Sequence, residues 1–226
     1  MATTNVNSGL GGLVRQDSAT SFADAVAGSG NFNSSVNFNV AYVNAGTFFC
    51  GRCYYRFDTT GIATNQVATA ATITVNLSGT RGGTDDNMEV HKFFNSTDAS
   101  STFGSALYDT IGNAVTDAVD VGNTIGATLV FTLDSTGLAY INTQIAAGNQ
   151  CAFLQRSQGD YQNPGTDPST VSTRSFNTFA DSTAGLRPIL SITHDGPAVA
   201  TTYDNIGDEQ VISSKTIIVS AGLLKF

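Results

Sequence analysis

The sequence predicts an all-β fold, an antiparallel β-sandwich of the jelly-roll type with one short helix near residues 136–147. Apolar and polar residues alternate along several short segments, most regularly in ATITVNLS at residues 71–78, and Gly-, Asn- and Asp-rich turns separate these segments. A period of two places one face of a strand in a core and the other in solvent. We expect residues 54–62 and 185–193 to be the opening and closing strands of the sandwich.

The composition of the chain argues against nucleic-acid and membrane partners. Charged residues make up 12% of the chain and the formal net charge is -8, against a usual charged fraction of about 25%. No stretch is basic enough to neutralise phosphates, so we expect no nucleic-acid partner. The apolar runs are far shorter than the roughly 20 residues that cross a bilayer, and we expect no membrane partner. The N-terminus lacks the features of a signal peptide, which favours synthesis in a cytoplasm.

Residues 1–35 are predicted to be an N-terminal arm, because they are rich in Gly, Ala, Ser and Asn and contain few apolar residues. Such a segment is expected to become ordered when it contacts another molecule. A free linker is the alternative interpretation. The predicted assembly contacts of this arm are Leu10, Leu13, Val14 and Phe22.

Residues 36–195 are predicted to form the sandwich and residues 196–226 a C-terminal arm with a terminal strand. The last part of this arm is apolar on both faces of a strand, so we expect it to be buried on both sides. It either packs across its own sandwich or adds to the sheet of a neighbour. The predicted contacts are Ile217, Ile218, Val219, Leu223, Leu224 and Phe226.

Within the predicted sandwich, most elements follow from alternation and turn residues. The helix at 136–147 is predicted from an Asp-Ser-Thr start, helical spacing of Leu138, Ile141 and Ile145, and a stop at Gly148. The Gly-, Ser- and Asp-rich residues 95–125 are expected to be a long loop with short elements. The remaining predicted strands are residues 36–43, 48–57, 88–94, 126–133, 151–157, 171–179 and 188–193.

The predicted strand at 48–57 contains the sequence CGRC, with Cys50 and Cys53. In a strand these two side chains point to opposite faces, whereas a redox CxxC pair begins a helix. A zinc site would need a second pair of ligands, which Cys151 and two scattered histidines do not supply. We therefore expect structural thiols, with Arg52 and Arg56 pointing outward.

Several motifs, taken in order, resemble a known family. They are RFDTTGI at 56–62, ATITVNLSGT at 71–80, FTLDSTGLAYIN at 131–142, QRSQGD at 155–160 and RPILSIT at 187–193. This set is similar to the DNRLRE-type, disaggregatase-related β-sandwich domains, which are close in shape to carbohydrate-binding modules. The resemblance implies a sandwich over about residues 36–194 of the kind found in structural proteins of tailed phages and other viruses.

The best candidate for a glycan site is the predicted exposed loop at residues 159–169. Amphipathic rings beside amides suit sugar binding, and the chain has no Trp. A plain exposed loop is the alternative, and Arg156 and Asp160 are expected to brace it by pairing. The candidate glycan-binding residues are Asp160, Tyr161, Gln162 and Asn163.

A second candidate is a weak calcium site formed by Asp85, Asp86 and Asn87 in a Gly-rich loop. A solvated turn explains the same residues, since Asp and Asn favour turns. No other cofactor is expected. Two histidines and the absence of a G-x-S-x-G motif leave no catalytic set, so we expect no enzyme activity.

These observations favour a non-enzymatic virion structural protein, a capsid decoration or cement protein or a fibre subunit. Its expected partners are copies of itself and other virion proteins, contacted through the terminal arms. Two alternatives stay open: a carbohydrate-binding module of a surface protein that contacts cell-surface glycan, and a self-polymerising extracellular filament subunit. The expected location is the virion in the first case and extracellular in the other two.

Overall fold

A computed structural model describes residues 1–35, 38–44, 47–82, 90–99, 102–162 and 172–195. This part of the chain is mostly antiparallel β-sheet and confirms the all-β, sandwich-like class. The strands are β1 (Ala2–Ala19), β2 (Phe32–Ser34), β3 (Phe38–Asn44), β4 (Phe48–Phe57), β5 (Val67–Gly82), β6 (Val90–Ser96), β7 (Ile111–Ala114), β8 (Val119–Asp120), β9 (Thr128–Thr132), β10 (Cys151–Ser157), β11 (Ser172–Phe176) and β12 (Ile189–Asp195). The helices are α1 (Phe22–Ala27), α2 (Ser135–Ala147), α3 (Gln158–Tyr161) and two 3₁₀ turns, Ser105–Asp109 and Ala184–Leu186.

The strands form two sheets that share β1 and β5. The small sheet has the order β1–β12–β5–β9 and uses the first parts of β1 and β5. In the large sheet, the second part of β1 lies between β2 and β4. The other edge of β4 pairs with β3 and then with β10, which continues to β6, β7 and β8. β3 continues through β11 to the second part of β5.

The core lies between the inner faces of the two sheets. Phe131 of β9 meets Phe93 of β6 edge-on, with ring centroids 4.8 Å apart. The inward half of the alternation predicted in β5 is confirmed, since Ile73 and Val75 are buried; on the outer face Ser78 is exposed, but Asn76 is only 3% exposed. Helix α2 packs against β5 and β7 and so bridges the sheets. Burial of such apolar side chains is the main stabilising contribution to the fold.

The position of α2 matches its prediction from sequence. The Asp134 side chain accepts a hydrogen bond from the Gly137 N–H at 2.9 Å, which caps the first turn. Gly148 ends the helix with φ +66, a left-handed conformation that glycine adopts without strain. Ile141 and Ile145 are buried, as the helical spacing predicts.

The prediction of an N-terminal arm is wrong, because residues 2–19 form a strand that belongs to both sheets. Leu13, Val14 and Phe22 lie in the chain's own core, and Leu10 is half-buried. One of the glycines that suggested a loose segment, Gly12, serves close packing instead. A Cβ on Gly12 would collide with the Ser34 carbonyl oxygen. Burial of this segment against its own chain removes it from the predicted intersubunit contacts.

Arg52 points to the outer face of the large sheet, as predicted, but its side chain is only 1% exposed because a third layer covers this face. Helix α1 packs against β1 and β4, and α3 packs against β6 and β10. Alternation locates the two faces of a strand, but only the packing of distant segments decides whether the second face is solvated.

Candidate functional site

Of the residues predicted to bind glycan, the structure describes three, and two of these, Asp160 and Tyr161, lie in helix α3. Asp160 lies in α3 and is 2% exposed, so its carboxylate is not available to a sugar. The Tyr161 ring packs on Phe94 with centroids 5.7 Å apart. Gln162 is exposed, and its Oε1 accepts a hydrogen bond from Gln158 at 2.6 Å. Asn163 lies outside the described residues. The prediction that Asp160 binds glycan is therefore wrong, because its carboxylate is buried in ion pairs with two arginines.

Asp160 lies at the centre of a buried ion cluster. Arg52 binds it with two parallel hydrogen bonds, Nε to Oδ2 and Nη2 to Oδ1, each 2.8 Å long. Arg156 donates to the same two oxygens from Nε at 2.7 Å and from Nη2 at 2.8 Å. Bidentate pairs of this kind are the strongest hydrogen bonds between side chains. The pairing of Arg156 with Asp160 that the sequence predicts is confirmed, and Arg52 joins it.

The remaining donors of Arg52 reach two other segments. Nη1 donates to the Tyr108 carbonyl at 2.8 Å and Nη2 to the Val26 carbonyl at 3.0 Å. The guanidinium also lies over the Tyr108 ring, 3.7 Å from its centroid. One side chain of β4 thus holds α1, the 3₁₀ turn Ser105–Asp109 and α3. We interpret the cluster as a structural brace.

The electrostatics of the cluster favour the ionised state. Burial alone would raise the pKa of Asp160, but the charges of Arg52 and then Arg156, with their hydrogen bonds, outweigh burial and lower the pKa well below its ordinary value. The carboxylate is therefore charged at every pH at which the protein is expected to work.

The three cysteines are buried free thiols, as predicted. Burial raises the pKa of Cys50 to about 12, and the negative charge of Asp160 adds to this rise. Burial likewise raises the pKa of Cys151 to about 12. The reactive form of cysteine is the thiolate, so these groups are poor nucleophiles and poor metal ligands at neutral pH.

The histidines are built into the core. His91 Nδ1 lies 2.8 Å from Nε2 of buried Gln155, and the His91 ring packs edge-on against Phe176. His194 Nε2 lies 2.9 Å from the Thr4 hydroxyl. Within the described ranges, no group of three or more His, Cys, Asp or Glu side chains could hold a metal ion. The predicted calcium residues, Asp85, Asp86 and Asn87, lie outside these ranges.

The candidate site for assembly is the open edge of the small sheet at β9. Residues 128–132 pair with β5 on one side, and no strand pairs with their other side in the part of the chain that the structure describes. The strand reads TLVFT, without a charge or a proline. Val130 is 51% exposed on the outer face of the sheet. An unpaired edge of this kind is a template for another strand.

The outer face beside this edge is also uncharged. One row across the four strands consists of Asn5, Ser191, Thr72 and Thr132, in register. The next row is Asn7, Ile189, Thr74 and Val130. The centres of protein interfaces are depleted of charged residues in the same way. The predicted assembly residues of the C-terminal segment, from Ile217 to Phe226, lie outside the described residues.

No protein-family model matches the chain, and no curated protein matches it significantly. The resemblance to DNRLRE-type domains therefore stays a prediction from the strand motifs. Among the helices of the described ranges, none has the length and apolar character needed to cross a bilayer.

Proposed function

We propose that the chain is a non-enzymatic structural subunit of a virion, a capsid decoration or cement protein or a fibre subunit, whose copies associate at the β9 edge. The observation that carries this proposal is the uncharged edge formed by residues 128–132, which pairs with no strand on its outer side among the described residues. Most soluble proteins protect such an edge with lysine, proline, a bulge or a covering segment.

The proposed occupant of the edge is a strand from the C-terminal segment of a second copy. Residues 216–220 read TIIVS and are apolar on both faces, which suits a strand placed in a sheet. The segment that carries them follows β12, a central strand of the small sheet. Addition of such a strand supplies backbone hydrogen bonds along residues 128–132, up to the bridge that Leu133 forms with Thr116.

Charge also favours this edge as the point of contact. The chain carries 18 acidic residues against 10 basic ones, so two copies repel each other over much of their surfaces. The β9 strand and the two polar rows beside it carry no charge. Two copies therefore meet at this edge with less repulsion than at a charged surface.

The native mass of purified protein tests the association. We expect the full chain to form oligomers that dissociate on dilution, and Val130→Lys to be monomeric because an edge lysine blocks strand addition. A variant without residues 196–226 should be monomeric as well. Ile125→Lys is the matched control, since Ile125 is 62% exposed but precedes the strand. Association by Val130→Lys equal to that of the full chain, or a full chain that stays monomeric at all concentrations, contradicts the proposal.

The virion assignment is supported by the low charge content and the strand motifs, and it has its own test. Negative-stain microscopy of the pure protein separates it from the alternative of a self-polymerising filament. Short oligomers that bind to capsid or tail particles agree with a virion subunit. Long filaments that form from this protein alone favour the filament interpretation instead.

A further inference from the structure

A polar cleft lies between the C-terminal half of α2 and the ends of β4 and β6. Its volume is about 640 Å³, within the range of roughly 300–1,000 Å³ that small-molecule sites occupy. The side chains that give it its chemistry are Thr60, Thr97, Tyr140, Gln144, Asn149 and Gln150. None of them carries a charge at neutral pH.

One wall of the cleft is a tyrosine held in a fixed orientation. The Tyr140 hydroxyl donates to the Ala152 carbonyl at 3.1 Å and accepts from the Ala152 N–H at 3.0 Å. Its ring packs edge-on against Phe153, with centroids 5.5 Å apart. Because both ends of the side chain are held, binding a ligand costs little rotamer entropy at this position.

The opposite side of the cleft is also ordered before any ligand binds. Asp58 Oδ1 accepts hydrogen bonds from the Thr60 hydroxyl at 2.6 Å and from the Thr60 N–H at 3.1 Å. Asp58 thus positions one of the lining residues.

The amides of Gln144 and Asn149 are available to a ligand. Within the described part of the chain, neither side chain has a hydrogen-bond partner. Only their backbones are joined, since the Asn149 N–H donates to the Gln144 carbonyl at 2.9 Å. Each amide offers two donor hydrogens and one acceptor oxygen. A cleft with such groups on a helix end can bind a molecule that donates and accepts at adjacent positions.

We propose that this cleft binds a short neutral oligosaccharide. Sugar hydroxyls donate and accept hydrogen bonds at adjacent carbons, which matches side-chain amides, and the C–H face of a sugar packs on an aromatic ring. An anionic ligand would lack a counter-charge among the lining residues and would lie near the Asp58 carboxylate that holds Thr60. None of these residues belongs to β9 or to residues 196–226, so the cleft and the assembly edge are tested separately.

A glycan array of neutral and acidic glycans, followed by calorimetric titration with maltotriose, cellotriose and N,N′,N″-triacetylchitotriose, tests the proposal. We expect saturable binding to at least one neutral glycan and weaker binding of trigalacturonate. Gln144→Ala should weaken the binding about tenfold, the loss expected for one or two hydrogen bonds. Asn33→Ala, which removes an exposed amide on β2 outside the cleft, should leave the affinity unchanged.

Two further results decide the matter. Asn149→Ala should weaken binding by a similar factor, and both variants should keep the thermal midpoint of the parent because their side chains have no partner in the described fold. Absence of saturable binding to every neutral glycan at millimolar concentration overturns the proposal. Equal affinity of the parent, Gln144→Ala and Asn149→Ala also overturns it.

Discussion

Asp160 is the residue whose environment differs most from that expected of an acidic side chain in a loop rich in Gly, Pro and Asn. It is buried between two arginines that approach from β4 and β10. Removing one member of a buried ion pair leaves an uncompensated charge in the interior. The free energy of unfolding then typically falls by about 3–5 kcal/mol, roughly ten times the contribution of an exposed ion pair. This carboxylate therefore contributes strongly to the stability of the third layer.

We expect Asp160→Ala to lower the free energy of unfolding by about 3–5 kcal/mol, measured by urea denaturation. The matched control is Asp117→Ala, which removes an exposed carboxylate and should change stability by less than about 0.5 kcal/mol. Similar losses for the two variants would show that the buried cluster does not brace the fold.

The same residue predicts a dependence of stability on acid pH. In the folded state the pKa of Asp160 lies below its ordinary value of 3.8. The unfolded chain therefore takes up the proton first, and the stabilising contribution is complete above pH 3.8 and is lost as the pH falls through the lower folded pKa. We expect the urea midpoint to fall more steeply between about pH 5 and pH 2 for the parent than for Asp160→Asn. Parallel curves for the two proteins would contradict this assignment.

At the scale of elements, β9 combines two roles on its two faces. Phe131 points into the core against Phe93, whereas its neighbour Val130 is half exposed on the outer face of the sheet. The alternation that places one side chain in the core leaves the next one at the surface. This strand therefore contributes to stability through one face and is free to associate through its edge.

Phe131→Ala is expected to lower the free energy of unfolding by about 3–5 kcal/mol, because it leaves a cavity between the sheets. Val130→Ala removes a side chain from the same strand and should cost less than about 1 kcal/mol. Thermal and urea unfolding of the two variants measure the difference. If both variants lost the same free energy of unfolding, the two side chains would have similar burial, which would contradict the register of β9 with β5.

At the scale of the whole molecule, β1 joins the two sheets. Its first part pairs with β12 and its second part with β4. Gly12, Leu13 and Val14, in the second part, are buried. A strand shared by both sheets contributes hydrogen bonds and core contacts to each. Residues 1–19 are therefore part of the folded body.

We expect a variant that lacks residues 1–19 to be unfolded or aggregated, because its removal exposes edges of β4 and β12 together with the apolar core. A variant that lacks residues 196–226 should keep the circular dichroism spectrum and a cooperative thermal transition. A folded N-terminal deletion variant with the thermal midpoint of the parent would contradict the structural role of β1.

Local patterns were sufficient for many elements and insufficient for the sites. The bounds of β10 and α2 follow closely from alternation and capping residues, since the determining groups lie within a few residues of each other. The brace at Asp160 could be predicted only as its local pair with Arg156. Arg52 is far away in the sequence, and its burial shows no local signal. The cleft residues come from three separate segments, so their proximity has no signature in any one of them.

The alternating strands and the capped helix follow from local sequence, because period and capping are properties of neighbouring residues. Three features follow from the packing of distant segments: the Gly-rich N-terminus is a shared strand, Arg52 is buried, and neutral side chains meet in one cleft. These outcomes depend on which distant segments cover each face of a sheet, and that choice is made by packing over the whole molecule.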